Sequence, residues 1–333
     1  MKSPRWSGWL LAVIVLVAAC VLSLLVGTKA IAIGDVWHAL STAEATTPDQ
    51  VTVLEYRLPR TLLGLLVGLA LGVAGCLMQG LTRNPLADPG LLGVNAGAAF
   101  AITVAVALFG VTEITSYVWF GFLGAALVSV VVYRLGTAGH TGTDPIRLTL
   151  AGVAATAVLT GLTRGMILVD PKAFDEMRRW DAGALTGRGF DIIAGAAPFI
   201  VVGLVIAAVC ARSLNAVALG DDLARSLGVR VTRTRLLTAL ALVLLCGTAT
   251  AAVGPIAFVG LAVPHIARWM VGPDQRWIFG YSLVLAPILV LTADVLGRII
   301  IRPDEVPAGL VTAFLGAPML IWLARRARVG ATS

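Results

Sequence analysis

Few residues in this chain of 333 could do chemistry, and their types and spacing narrow what that chemistry is. The three lysines are Lys2, Lys29 and Lys172, and none follows a glycine. The GxxxxGK[ST] loop that cradles nucleotide phosphates is therefore absent, and if ATP drives the protein it binds another polypeptide. Cys20, Cys76, Cys210 and Cys246 each sit inside an apolar run, none in CxxC spacing, and read as small buried hydrophobes. His38, His140 and His265 lie far apart in sequence, so no metal site is expected from them. An intramembrane transferase holding Mg²⁺ would need two Asp-rich clusters facing one cavity, and only Asp221-Asp222 qualifies, in a loop full of arginines. An ion-coupled secondary transporter would need carboxylates near the membrane midplane. Only Asp294 comes near, toward one end of its apolar window.

Two other stretches are unusual. Arg57-Leu58-Pro59-Arg60 and the run from Gln79 to Gly90 (QGLTRNPLADPG) bracket one apolar window. Pro85, Pro89 and Gly90 cannot continue a regular helix, so this backbone is either a tight turn or a gate lining an aqueous route. The stretch from Leu214 to Arg230 reads as one short amphipathic helix. Asp221 and Asp222 suit its first turn, Leu223 and Leu227 share a face at i, i+4, and Gly228 ends it. That apolar face must be buried on the membrane surface or in a groove of a cytoplasmic partner, and the acidic pair and the glycines favour the protein groove.

The elements that position these residues follow from composition. Hydrophobic residues make up 58% of the chain and charged residues 13%, with a mean hydropathy of +0.93. Soluble domains carry about 25% charge, so a soluble enzyme and a disordered chain are both excluded. Windows nearly free of charge predict an all-α polytopic membrane protein of ten transmembrane helices, at roughly 9–27, 61–82, 90–109, 114–133, 147–166, 192–211, 235–252, 255–271, 277–295 and 306–324. The seventh and eighth come from one overlong window, broken near Gly254-Pro255. Val17-Ala18-Ala19-Cys20 imitates a lipoprotein cleavage box, but the apolar run continues to Val26, so a retained first helix is expected. A short helix is expected over Ile33 to Leu40 in the long segment 28–60, and Asp170-Pro171 opens a charged stretch running to Arg188. An even number of crossings puts both termini on one side. With the termini inside, the inner segments hold 15 of the 25 basic and 5 of the 18 acidic residues, so the net charge of +7 is an orientation signal. No basic stripe interleaves with aromatics, so no nucleic-acid partner is expected. Residues 1–333 are expected to form a single transmembrane domain with 212–235 as the longest inner loop.

The sequence resembles the FecCD-like iron-siderophore/vitamin-B12 family of ABC-transporter permeases. The resemblance is carried by RLPR at 57–60, Gly75 to Gln79, NPLADPGLLGVNAGA at 84–98, the 214–230 loop, GPIAFVGLAVPHIAR at 254–268, ADVLGR at 293–298, EVPAG at 305–309 and LGAP ending at Pro318. Within the family, LTRNPLADPGLLGVNAGA is most similar to permeases for ferric enterobactin, a catecholate siderophore. The resemblance implies a bundle of the vitamin-B12-permease type, with helices 2–5 related to 7–10 by an inverted pseudo-repeat. It implies a permease subunit of an importer in the bacterial inner membrane that carries ferric siderophore inward. Its partners would be a second permease (a heterodimer is favoured), two cytoplasmic ATPases that hold the ATP and Mg²⁺, and an external binding protein. Haem, cobalamin or a hydroxamate siderophore is the alternative cargo. Arg57, Arg60 and Arg298 match the outer arginines that receive glutamates of the binding protein, a pairing suited to the guanidinium fork. By pattern alone, Arg57 and Arg298 read as solvated charges and Arg60 as a snorkelling anchor. Asn84 and Leu86 match the inner constriction. Leu219, Gly220, Asp221, Ala224, Leu227 and Gly228 lie in the stretch that matches the ATPase-coupling loop. The resemblance implies no catalytic residue, no metal and no cofactor in this chain. One departure is Trp180-Asp181-Ala182-Gly183-Ala184-Leu185, where the family has serine at 184.

Overall fold

A long helix at the centre of the bundle organises the rest. In a computed structural model, which describes residues 3–42, 46–137 and 145–329, this helix runs from Pro48 to Thr82 with a π-helical stretch over Thr52–Arg57. In chain order the helices are α1 (Ser3–Leu25), α2 (Ile33–Thr42), α3 (Pro48–Thr82), α4 (Val94–Phe109), α5 (Ile114–Thr137), α6 (Pro145–Val169), α7 (Pro171–Asp181), α8 (Phe190–Ala218), α9 (Asp221–Ser226), α10 (Val231–Val253), α11 (Val259–Val271), α12 (Gln275–Ile300) and α13 (Ala308–Val329). No strand occurs among the described residues. Seven of these helices are long and apolar enough to cross a membrane; α4, α11 and the apolar part of α13 are shorter apolar helices. The protein is a multi-pass helical membrane protein. His140 and two charges used for orientation, Lys2 and Asp144, lie outside the described residues.

Helix α3 packs against α12, α8 and α11, and small residues make that possible. A Cβ on Gly72 would stand 2.3 Å from Ala286 Cβ, and one on Gly75 would stand 1.8 Å from the carbonyl oxygen of Gly260. Without a hydrophobic drive between helices in lipid, such close backbone approach is what holds them together. Helix α1 is different: Leu10, Leu11, Ile14 and Val17 are all exposed, a face for lipid.

Each apolar window overlaps one helix, but several boundaries differ from expectation, and two of them bear on the site. The second helix begins at Pro48, so Arg57 to Arg60 lie within it rather than ahead of it; Pro59 is tolerated because it falls at the start of the α-helical part. The seventh helix ends at Val253 near the expected break, but the eighth starts at Val259 rather than Pro255. Gly254 has φ +81, Pro255 follows, and Phe258 has φ +68, so 254–258 cannot be helical. The Val253 carbonyl left free by the break accepts from the Ala184 N–H at 2.9 Å. The position where the family has serine thus serves through its backbone, which alanine supplies equally well. The expected short helix at 33–40 is present as α2. The stretch 214–230, expected as one helix, is divided: residues 214–218 continue α8, Gly220 at φ +115 interrupts the helix, and only 221–226 are helical, as α9. Helix α7 is capped by Asp170, which accepts from the Lys172 N–H at 2.9 Å.

Candidate functional site: an outer arginine cavity and an inner coupling loop

A helix end leaves its last carbonyls without intrahelical donors, and α1 ends at Leu25. Two guanidinium groups from other helices supply the donors. Arg57 donates through Nη1 to the carbonyls of Leu24 and Leu25, both at 2.8 Å, and through Nη2 to that of Lys29. Arg298 donates through Nη1 to the carbonyls of Ser23 at 2.7 Å and Val26 at 3.1 Å. Positive charge here also complements the negative end of the helix dipole.

Arg298 pairs in addition with Asp294. Asp294 accepts from Arg60 as well, from Nε at 3.0 Å on each oxygen and from Nη2 at 2.7 Å. Arg60 Nη1 pairs with Glu305 at 2.7 Å, and Glu305 accepts from Thr186 Oγ1 at 3.2 Å. Arg60, Asp294 and Arg298 form a buried cation–anion–cation chain, with Glu305 at its partly exposed end. Pattern reading made Arg57 and Arg298 solvated charges. The structure corrects this: they are 5% and 2% exposed. The cause is α1, whose end lies over both side chains. A signal existed in the sequence, because an acid four residues before an arginine within one apolar helix requires internal pairing.

The three arginines line a cavity of about 600 Å³ together with Lys29, Glu55, Tyr56, Thr186, Arg188 and Glu305. The charge balance of the sequence leads one to expect this end to face outward. Arg188 was visible in the sequence only as the end of a charged stretch.

At the opposite end, α3 stops at Thr82 and Arg83 adopts the left-handed conformation at φ +55. Asn84 is exposed, and its Oδ1 accepts from the Leu86 N–H at 2.9 Å, closing a tight turn. Asp88 then caps a 3₁₀ turn, Pro89–Leu92, by accepting from the Gly90 N–H at 2.8 Å. Burial pushes the Asp88 carboxyl above the usual carboxylate range, and the Gly90 N–H opposes that shift. Leu86 and Asp88 line a second cavity of about 320 Å³ beside the 254–258 break, with Asn95, Thr250 and Phe258. Gln79 is held at the same end, donating to the Leu261 carbonyl at 3.1 Å and accepting from Arg268 at 3.2 Å.

The coupling-loop residues divide into two sets. Leu219, Leu223 and Leu227 are exposed and recur at four-residue spacing. Ala224 faces the other way, fully buried against Val217 and Val231. Gly220 and Gly228 have positive φ and nothing near where a Cβ would stand. Asp221 pairs with Arg83 and, at 2.9 Å, with Arg235. The structure therefore ties the loop around Asn84 and Leu86 to the 221–226 helix through one carboxylate. Among the described residues, no group of three His, Cys, Asp or Glu side chains is arranged to hold a metal ion.

Comparison with known proteins gives the same frame. The profile of the FecCD transport family matches residues 15–326. The ferric enterobactin transport system permease protein FepD of Escherichia coli (strain K12) is 49% identical over 94% of this chain and 93% of its own length. The Fe(3+)-citrate import system permease protein YfmD of Bacillus subtilis (strain 168) is 37% identical, covering 98% of this chain and 97% of its own. A solved metal-chelate type ABC transporter in an inward-facing conformation superimposes with a TM-score of 0.84 at 23% identity, covering 96% of this chain and 99% of that one, a likeness of fold.

Proposed function

This chain belongs to the FecCD transport family, and from that premise we propose that it is the permease subunit of an ABC importer that moves a ferric siderophore of the catecholate, enterobactin type into the cytoplasm. The observation that carries the cargo is the 49% identity to FepD across 94% of the chain. In this reading the chain crosses a bacterial inner membrane ten times, with the second to fifth helices related to the seventh to tenth by an inverted repeat, and the excess of basic residues in the inner segments supports termini in the cytoplasm. A second, different permease completes the pathway. Two ATPases seat on the exposed Leu219, Leu223 and Leu227 face, and ATP-driven closure levers that helix, with Gly220, Asp221 and Gly228 forming its ends and Ala224 its inner anchor. Asp221 passes the movement to Arg83 and so to the constriction at Asn84 and Leu86. An external binding protein docks its acidic residues over the cavity of Arg57, Arg60 and Arg298.

The ion-coupled reading is disfavoured by one observation: Asp294 is committed to two arginines and has no free proton or cation site. The deciding experiment is radio-iron uptake in a strain deleted for this chain. Uptake of ferric enterobactin should fall to background and return on complementation, with citrate and hydroxamate chelates unaffected. Retained enterobactin uptake with loss of a hydroxamate, haem or cobalamin would overturn the cargo assignment.

A further inference from the structure

Helices α5, α8 and α10 leave a slot between them, away from the outer arginines and the inner loop. Trp119 and Phe122 of α5 and Phe199 of α8 wall it. Phe199 meets Trp119 edge-on with ring centres 5.9 Å apart and Phe122 at 4.7 Å. Gly195 and Ala196 of α8 and Ala251 of α10 are its small residues, and about 250 Å³ stays open among them. The π-helical stretch Val243–Gly247 of α10 leads directly into this wall, and such bulges are frequent at functional sites.

The surroundings decide what enters. Both α5 and α8 are long enough to cross a membrane, and only 28% of each apolar window is buried. Leu123 and Leu127 of α5 and Val201, Val202 and Val205 of α8 are exposed, so lipid reaches the slot from the side. A helix with its side chains is about 10–12 Å across, too thick for this space, whereas a single hydrocarbon chain is thin and flexible enough. One end of the slot is polar. Thr115 and Asp191 stand there, in the first turns of α5 and α8. A carboxylate in the first turn suits the helix dipole, yet Asp191 is exposed and, among the described residues, has no ion pair. A purely anionic headgroup would meet it as a like charge; an ammonium would pair with it. Apolar walls with a charge at the mouth match an amphiphile whose head is cationic at its tip.

We propose that this slot binds a phospholipid with an ammonium headgroup, one acyl chain lying between Trp119, Phe122 and Phe199 and the ammonium beside Asp191. The inference is independent of the cargo.

The test uses this chain, purified with whatever subunits accompany it, in nanodiscs of phosphatidylethanolamine and phosphatidylglycerol. A trace of phosphatidylethanolamine carries a photoreactive group midway along one acyl chain, and mass spectrometry maps where it attaches. Labels should concentrate on the α5 and α8 peptides holding Trp119, Phe122 and Phe199, above the level on the lipid-facing Leu10 to Ile14 stretch of α1. The same probe with a glycerol headgroup should label the slot about threefold less, the ratio expected of one solvent-reached ion pair. Asp191→Asn should erase that headgroup preference while labelling persists. In Gly195→Leu the first added carbon stands 3.6 Å from Trp119, an ordinary contact, and the rest fills the slot, so labelling should fall to the level of α1. If that variant fails to assemble, the Asp191→Asn comparison decides. Wild-type labelling no higher at the slot than on α1 would mean annular lipid only and overturns the proposal. So does equal labelling by the two headgroups, or a preference that survives in Asp191→Asn. Labels that appear only after the companion subunits are stripped away would give the slot to a protein surface, and overturn it too.

Discussion

Replacing Asp294 by asparagine removes the one negative charge standing between two buried guanidinium groups. The volume barely changes, so no cavity forms and the effect isolates electrostatics. Asp294 is 1% exposed and Arg298 2%, so water cannot take the place of the lost carboxylate. Breaking a buried ion pair by removing one partner costs about 3–5 kcal/mol. Arg60 keeps Glu305, and Arg298 keeps the carbonyls of Ser23 and Val26, so the lower end, about 3 kcal/mol, applies. At about 2 °C per kcal/mol for a chain of this size, Asp294→Asn should lower the midpoint by about 6 °C. The assay is the monodisperse fraction surviving a fixed heating ramp in detergent, read by size-exclusion chromatography at one heating rate because such unfolding is irreversible. Glu305→Gln is the internal comparison. Its carboxylate is 28% exposed and reached by water, so it should cost about 1 kcal/mol or less. A shift under about 1 °C for Asp294→Asn, or an equal shift for Glu305→Gln, would refute the argument that burial sets the strength of this network.

Gly75→Val should leave little folded protein in the membrane, because even a single added carbon would overlap the Gly260 backbone. Gly80→Ala, whose added carbon meets its nearest neighbour at 3.5 Å, should be tolerated; detergent-extracted yield compares them. Leu223→Arg or Leu227→Arg places charge on the exposed face of the 221–226 helix and should abolish iron uptake and co-purification of the ATPase while leaving yield intact; unchanged uptake would count against that face as the ATPase seat. Asp88→Asn keeps the cap on Gly90 and removes a carboxyl whose folded pKa is raised by burial. The charged form is the costly one, so the wild type loses stability as pH climbs above the usual carboxylate range, and the variant should be more stable than wild type at neutral pH and equal to it in acid. Parallel pH profiles for the two would exclude a buried, perturbed Asp88.

The seven long apolar helices were legible because each is a long run of apolar residues, and lipid imposes that requirement on sequence directly. The break at Gly254-Pro255 was legible too, since neither residue suits a continuing helix. The start of α3 was not, because residues 48–60 carry charges that solvent-based reading assigns to a loop. They are helical since Arg57 finds its partners in a different helix, 28 to 33 residues away in sequence. The same reason hid the pairing of Arg60 with Asp294, 234 residues away, although the four-residue spacing of Asp294 and Arg298 is visible in the sequence. Local spacing placed one amphipathic helix over 214–230, whereas 214–218 continue α8 and only 221–226 form the separate helix; nor did spacing show which of its faces is free. Ala224 and Leu223 are neighbours in sequence, and only packing against Val217 and Val231 decides that the alanine turns inward.

The clasp on the end of α1 bears on how the molecule is made. The first helix enters the bilayer at the start of synthesis, with most of its surface facing lipid. Two of the carbonyls at its end, those of Ser23 and Val26, then wait for a guanidinium 275 and 272 residues downstream. Until that late segment inserts, the opening helix is held at this end by Arg57 and by the hydrogen bond between Ser23 and Thr61 at 2.8 Å. A chain cut short before α12 would therefore lack the helix against which α1 makes most of its packing.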